Sequence, residues 1–306
     1  MQPAPPDFSP KFPEVVDSTM LNEFRSCPQA FYLSYIRRIK GATSIHLHAG
    51  GAYAAGLEAT RTHYLLHGDA EAAIMHGLKA LWRAYGNVEP PEGKEYKGPE
   101  RITEAFVKYF ERWPLEKDTF QLLHINGKPG VEFSFSVPLP IEHPVTGNPI
   151  MFAGRLDWVG TFNGALFLVD EKTATYFGKD WASDWALRAQ FMAYCWAART
   201  FGFDVIGALV RGVALKPAAG PEFCEAGPIL FPEWKLSRWY DQTLMDVSRM
   251  VKCWLNGWWD WNYGTSCTNY GGCFFQDLCR TRNIEPWLTP DRYQENTWSP
   301  LRKEGE

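Results

Sequence analysis

"LFLVDEKTATY" (Leu166–Tyr176) places four apolar residues ahead of three adjacent charges, Asp170, Glu171 and Lys172. The apolar run reads as a strand with at least one buried face. Side chains alternate along an extended chain, so Asp170 and Lys172 share one face and Glu171 looks away. The preceding run, "GRLDWVG", carries Asp157 in otherwise apolar company, and Asn163-Gly164 between the two runs is a strong hairpin turn. Around that turn, residues whose numbers sum to about 327 fall opposite each other, and Asp157 with Asp170 meets the condition. Opposed side chains lie about 5 Å apart, which brings two carboxylates and a lysine together.

Carboxylates at that range repel unless a cation stands between them. A hard divalent ion, Mg²⁺ or Mn²⁺, suits oxygen ligands. A neighbouring lysine can orient or deprotonate a water, or stabilise charge on a phosphate. A lone D-x-K more often marks a surface hairpin with a cross-strand ion pair. The in-register Asp157 favours the metal reading.

The 306 residues are 45% hydrophobic and 15% aromatic, enough for a real core. The net charge of −4 excludes a globally basic nucleic-acid binder, so any such face must be local. No uninterrupted apolar run is long enough for a membrane span. "MQPAPPDFSPKFPEVV" reads as a stiff, irregular lead-in rather than a secretory signal, which points to a reducing cytoplasm. Helical periodicity is expected after Ser18, from Gly50, from Asp69 and from Arg101, and short β-rich runs follow between about 120 and 174. "SDWALRAQFMAYCWAARTF" reads as one helix capped by Ser183, "DVIGALVRGVAL" as a strand, "FCEAGPILF" as a hairpin, and "PEWKLSRWYDQTLMDVSRMVKCWLNGWWDW" as a long helix. Its tryptophans, Trp254, Trp258, Trp259 and Trp261, fit core packing better than base stacking. The order of elements predicts an α/β or α+β fold, with a helical N-terminal portion and a central mixed sheet flanked by helices.

Gln190 and Tyr194 are one helical turn apart, so an amide and a phenol share a face on the helix after the charged strand. Near the end, Cys267, Cys273 and Cys279 form C-x5-C-x5-C, and Cys27 lies far upstream in "FRSCPQAFYLSYI". Zinc sites favour C-x2-C pairs, whereas longer loops suit a bulkier iron–sulfur cluster; both remain open on spacing alone. Cys195, Cys224 and Cys253 read as ordinary buried thiols.

"GRLD" (Asp157), "VDEKT" (Asp170, Lys172) and "QFMAY" (Gln190, Tyr194), in this order, resemble the PD-(D/E)XK nuclease superfamily, and within it the RecB-like branch of CRISPR-adaptation nucleases and phage-type exonucleases. The resemblance implies that Asp157 and Asp170 bind Mg²⁺ or Mn²⁺, that the backbone carbonyl of Glu171 is a further ligand, and that Lys172 assists the attacking water. "GVEFSF" is similar to the strand that supplies a supporting glutamate, here Glu132. The branch also implies a [4Fe–4S] cluster on Cys27, Cys267, Cys273 and Cys279, pinning the N-terminal helix to the C-terminal loop. A histidine that many relatives carry on the second helix falls at Ala54.

The reading is therefore a metal-dependent DNA nuclease, an exonuclease acting on ends or single strands in recombination, repair or replication, with a partner from that machinery and no membrane association. The alternative is a DNA-binding or assembly protein on a nuclease scaffold of weakened activity. The expected organisation is a lead-in over 1–16 and one nuclease domain over 17–283, followed by a polar tail over 284–306. Within the domain, a helical portion covers about 17–115, the catalytic sheet and helix about 120–215, and the C-terminal helix and cluster loop about 232–283.

Overall fold

The computed structural model describes residues 7–125, 128–268 and 272–301, without the side chains of residues 125, 128, 129 and 132. Local capping chemistry starts the helices. Asp17 is extended and its side chain accepts from the Met20 amide at 2.7 Å, opening α1 (Ser18–Ser26). Ser44 and Asp69 do the same for α2 (Ile45–His67) and α3 (Ala70–Tyr85). Because Ser44 supplies the cap, α2 starts at Ile45 rather than at Gly50. Three more helices follow: α4 (Pro99–Arg112), α5 (Ala189–Thr200) and α6 (Glu233–Asn256).

The main strands are β1 (Val15–Val16), β2 (Val131–Glu142), β3 (Pro149–Phe162), β4 (Ala165–Ala174), β5 (Val205–Ala214) and β6 (Glu222–Leu230). They hydrogen-bond in the order β1-β3-β4-β5-β6, with β2 and the short Gln121–Leu122 segment also pairing with β3. β1 with β3 and β4 with β5 are parallel, whereas β3 with β4 and β5 with β6 are antiparallel. This is a mixed α/β fold with a central mixed sheet flanked by helices. The stretch expected to be a hairpin at "FCEAGPILF" is instead one strand, β6, whose register shifts between Ala226 and Ile229. Pro228 sits in that shift and has no amide hydrogen to give the ladder.

The chain divides into two compact units, one of residues 1–42, 135–154 and 237–306, the other of residues 43–134 and 155–236. In the first, Arg25 on α1 meets the buried Asp246 of α6 at 2.7 Å. In the second, α2, α3 and α4 pack Tyr53, Leu57, Leu81 and Phe106 in one core with Val213 of β5. A Cβ at Gly77 would stand 1.8 Å from Thr60 Oγ1 and 2.6 Å from the Gly56 carbonyl, so the close approach of α2 and α3 requires glycine there. No helix among the described residues is long and apolar enough to cross a membrane.

Candidate functional site

The β3–β4 hairpin builds the site. Asn163 and Gly164 both have positive φ, 50° and 79°, as a tight two-residue turn requires. Trp158 pairs with Val169 and Phe162 with Ala165, the register that the turn arithmetic predicts. One step further, Asp157 stands opposite Asp170, and its Oδ2 accepts the Glu171 amide at 2.9 Å. Asp170 is 2% exposed. Lys172 Nζ lies 2.6 Å from Asp170 Oδ2 as an ion pair, and no other described residue donates to either Asp170 oxygen. Burial, then the charge of Asp157, pushes the Asp170 carboxyl up to about 7. Burial also raises Asp157. For Lys172 burial works downward, but Asp170 and Asp157 outweigh it and hold the amine above the ordinary lysine value.

Gln190 Nε2 donates to Tyr194 Oη at 3.1 Å across one turn of α5. Burial, then the negative charge of Asp170, keeps the Tyr194 phenol protonated. The single helix expected from Ser183 is broken. Trp181–Asp184 and Trp185–Leu187 form separate short turns, and Arg188 is extended at φ −76°, ψ 121°. The break puts Gln190 in the first turn of α5, on the helix end that Asp170 faces through Tyr194. Asp157, Asp170, Lys172, Gln190 and Tyr194 are therefore gathered around one point. The side chain of Glu132 lies outside the described residues. Ala54 is exposed on α2.

The other face of β4 carries residues that sequence reasoning missed. Glu171 is buried, and Tyr109 of α4 and the Trp158 indole donate to its Oε1 at 2.7 and 3.1 Å. Arg61 of α2 grips both its oxygens, one at 3.1 Å, and also donates to Tyr109 at 2.8 Å. The Arg61 guanidinium lies over the Trp158 ring at 4.6 Å. Beside it, the fully buried Arg211 of β5 forks onto Asp118 at 2.6 and 2.7 Å and donates to Glu225 at 3.0 Å. Two signals for this network were present. Strand alternation turns Glu171 away from Lys172, so it needed another cation, and Arg211 interrupts an apolar strand.

In the first unit the four cysteines gather. Cys27 caps the short Pro28–Phe31 helix, and Cys273 donates its amide to the Cys267 carbonyl at 2.9 Å. Burial, then the charges of Cys273, Cys27 and Cys267, pushes the Cys279 thiol up to about 11. Burial likewise raises Cys273, which also feels Cys27 and Cys267. Cys27, Cys273 and Cys279 pack with Phe275, Leu278 and Tyr293. Among the described residues no three His, Cys, Asp or Glu side chains stand close enough to hold a single metal ion.

Residues 18–280 match the model of the PD-(D/E)XK nuclease superfamily. No curated protein matches the chain. Among solved structures, the chain is similar to a candidate exonuclease from Eubacterium rectale, at 14% identity over 89% of each chain with a TM-score of 0.47. It is also similar to SSO0001, at 13% identity over 77% of each chain with a TM-score of 0.31. The family match spans the carboxylate hairpin as well as Cys27 and Cys279, and on that match the chain belongs to the PD-(D/E)XK nuclease superfamily.

Proposed function

We propose that the chain is a Mg²⁺- or Mn²⁺-dependent deoxyribonuclease that hydrolyses phosphodiester bonds as an exonuclease, from DNA ends or along single strands. The observation that carries this reading is Asp170, a carboxylate 2% exposed, beside the half-buried carboxylate of Asp157 and with a single ammonium 2.6 Å from its Oδ2. Two carboxylates beside one ammonium leave an excess negative charge that a divalent cation would neutralise. PD-(D/E)XK nucleases generally use Mg²⁺ or Mn²⁺, and the donor set fits. Such an ion needs only one or two protein carboxylates, the rest coming from water and substrate phosphate. Asp157 and Asp170 would hold it, with the Glu171 carbonyl, and with Glu132 through water. With Ala54 in place of a histidine, the site relies on more water.

When bound, the ion supplies Lewis-acid activation of water and neutralises phosphate charge. The chain's own groups do the rest. Lys172, 2.6 Å from Asp170, is placed to donate to the nucleophilic water or to a phosphate oxygen. Tyr194 stays a phenol and Gln190 donates to it, so the pair orients the lysine side of the site. Glu171 fixes the strand from behind through Arg61.

Cys27, Cys267, Cys273 and Cys279 would hold a [4Fe–4S] cluster, with Zn²⁺ as the alternative. What supports this reading is that Cys279 lies near enough to Cys27, Cys267 and Cys273 to feel their charges. This set supports placing the chain in the RecB-like, phage-type branch, working in a reducing cytoplasm in recombination, repair or replication.

The test is to incubate anaerobically purified protein with end-labelled single- and double-stranded DNA and Mn²⁺, beside Lys172→Ala. Degradation by the parent alone is expected. Intact DNA with the folded, metal-loaded parent overturns the reading in favour of a DNA-binding protein on a nuclease scaffold, the case that Ala54 favours.

A further inference from the structure

The tryptophan run does not behave as one core stripe. Helix α6 ends at Asn256, and Gly257 turns with φ +63°. The following residues leave the helix and split by role. Trp259 is 7% exposed and stacks at 5.5 Å on Tyr32, forming a floor. Trp258 is 70% exposed and Trp261 42%. Together with Trp254 and Gln29 these rings line a cavity of about 380 Å³, within the size range of small-molecule sites. Trp258 is the most exposed tryptophan among the described residues, and its ring borders this cavity.

The cavity is built before anything enters it. Trp258 Nε1 donates to Asp260 Oδ1 at 2.8 Å, which fixes the exposed indole. The Asp260 carbonyl accepts the Gln29 amide at 3.0 Å, and Asn262 donates to the Ser26 carbonyl at 2.6 Å, so the loop is tied to the N-terminal helices. The side-chain amide of Gln29 lines the cavity and makes no hydrogen bond among the described residues, leaving both a donor and an acceptor available. Arg249 lies over the Phe24 ring at 5.5 Å and 3.9 Å from Asp246 Oδ1, Phe24 meets the floor residue Trp259 at 6.5 Å, and Lys252 is exposed on the same helix.

We infer that this cavity takes an unpaired nucleobase of a DNA strand. The base would stack on Trp258 and meet the Gln29 amide with its polar edge, while Arg249 and Lys252 attract the flanking phosphates. A proline-rich peptide also favours aromatic grooves, but it carries no charge for those cations to meet and needs no planar amide. Asp260 does not oppose the phosphates freely, since the Trp258 indole occupies one of its oxygens. The inference rests on the nuclease reading for its choice of polymer, but it can fail separately.

The experiment measures anisotropy of a dye-labelled oligothymidylate in EDTA, where no cleavage occurs, for the parent, Trp258→Ala and Trp258→Phe. Trp258→Ala should weaken binding about tenfold or more, as loss of one base stack predicts. Trp258→Phe should stay within about threefold of the parent, which excludes misfolding as the cause. An abasic strand of equal length should bind the parent about as weakly as oligothymidylate binds Trp258→Ala. Equal affinity of the parent and Trp258→Ala, equal affinity for the abasic strand, or no binding by the parent each overturns the inference. Trp258-dependent binding without Mn²⁺-dependent cleavage keeps the inference and sinks the nuclease reading. Cleavage with no role for Trp258 in binding does the reverse.

Discussion

The two faces of β4 hold adjacent residues of similar chemistry in opposite states. On one face Glu171 is satisfied several times over, by Arg61, Tyr109 and Trp158. On the other, Asp170 is as deeply buried, has only the Lys172 ammonium near it, and lies opposite another carboxylate. A protein that can surround one carboxylate with donors has no difficulty doing so for its neighbour. The unsatisfied face is where free energy has been left available for a cation and a phosphate; the satisfied face holds the strand still while they bind.

The sharpest way to break this contrast is to remove the functional face. Asp170→Asn or Lys172→Ala should lower cleavage of labelled DNA by about 10³-fold or more, while far-UV circular dichroism stays that of the parent. A variant that retains cleavage within a few-fold would remove Asp170 or Lys172 from the chemistry.

The next effect falls on the structural face. Arg61→Ala leaves Glu171 buried beside two neutral donors, and urea unfolding should record a loss of about 3–5 kcal/mol. Replacing both partners, Arg61→Met with Glu171→Gln, should cost clearly less, because no buried charge is stranded. If the single and double variants lose the same stability, the network is not an ionic clamp.

Smaller, and opposite in sign, is the stability effect of the active-site substitution. In metal-free buffer Asp170→Asn should raise stability by about 1 kcal/mol, because it relieves the repulsion between the Asp157 and Asp170 carboxylates and leaves Lys172 the charge of Asp157. A loss instead of a gain would mean that the Asp170–Lys172 pair is structural after all.

Much of the functional face was legible because it is local. The turn at Asn163-Gly164 sets the register, alternation sets which of Asp170, Glu171 and Lys172 look inward, and helical spacing joins Gln190 to Tyr194. The structural face was not. Arg61 and Tyr109 reach Glu171 from helices that precede it by 110 and 62 positions, and only the packing of those helices on the sheet decides the pairing. Two local readings also missed. The helix through Gln190 was drawn too long because no proline or glycine marks the break at Arg188. Core packing fits all four tryptophans only if the helix runs through Trp261, and it has already ended before Gly257.

A last and smaller test concerns how the end of β4 is held. Lys97 is 2% exposed, and its Nζ donates to the carbonyl of Ala174, the last residue of the strand, at 3.0 Å. Burial, then the neighbouring charge of Lys94, brings its amine down to about 8. Between about pH 8 and the ordinary lysine value near 10.5, the unfolded chain holds a proton that the folded chain has shed. The unfolded state therefore binds more protons in that window, and stability rises with pH across it. The rise should be on the order of 1 kcal/mol, since the amine keeps its carbonyl partner in either form. Lys97→Met fills the same volume and cannot titrate, while the Ala174 carbonyl still accepts the Leu215 amide at 2.9 Å. Its urea midpoint, set against the parent's at pH 7.5 and pH 10, should lack that rise. An equal rise in both proteins would assign the alkaline stabilisation elsewhere and leave Lys97 as an uncharged strut under the strand that carries Asp170 and Lys172.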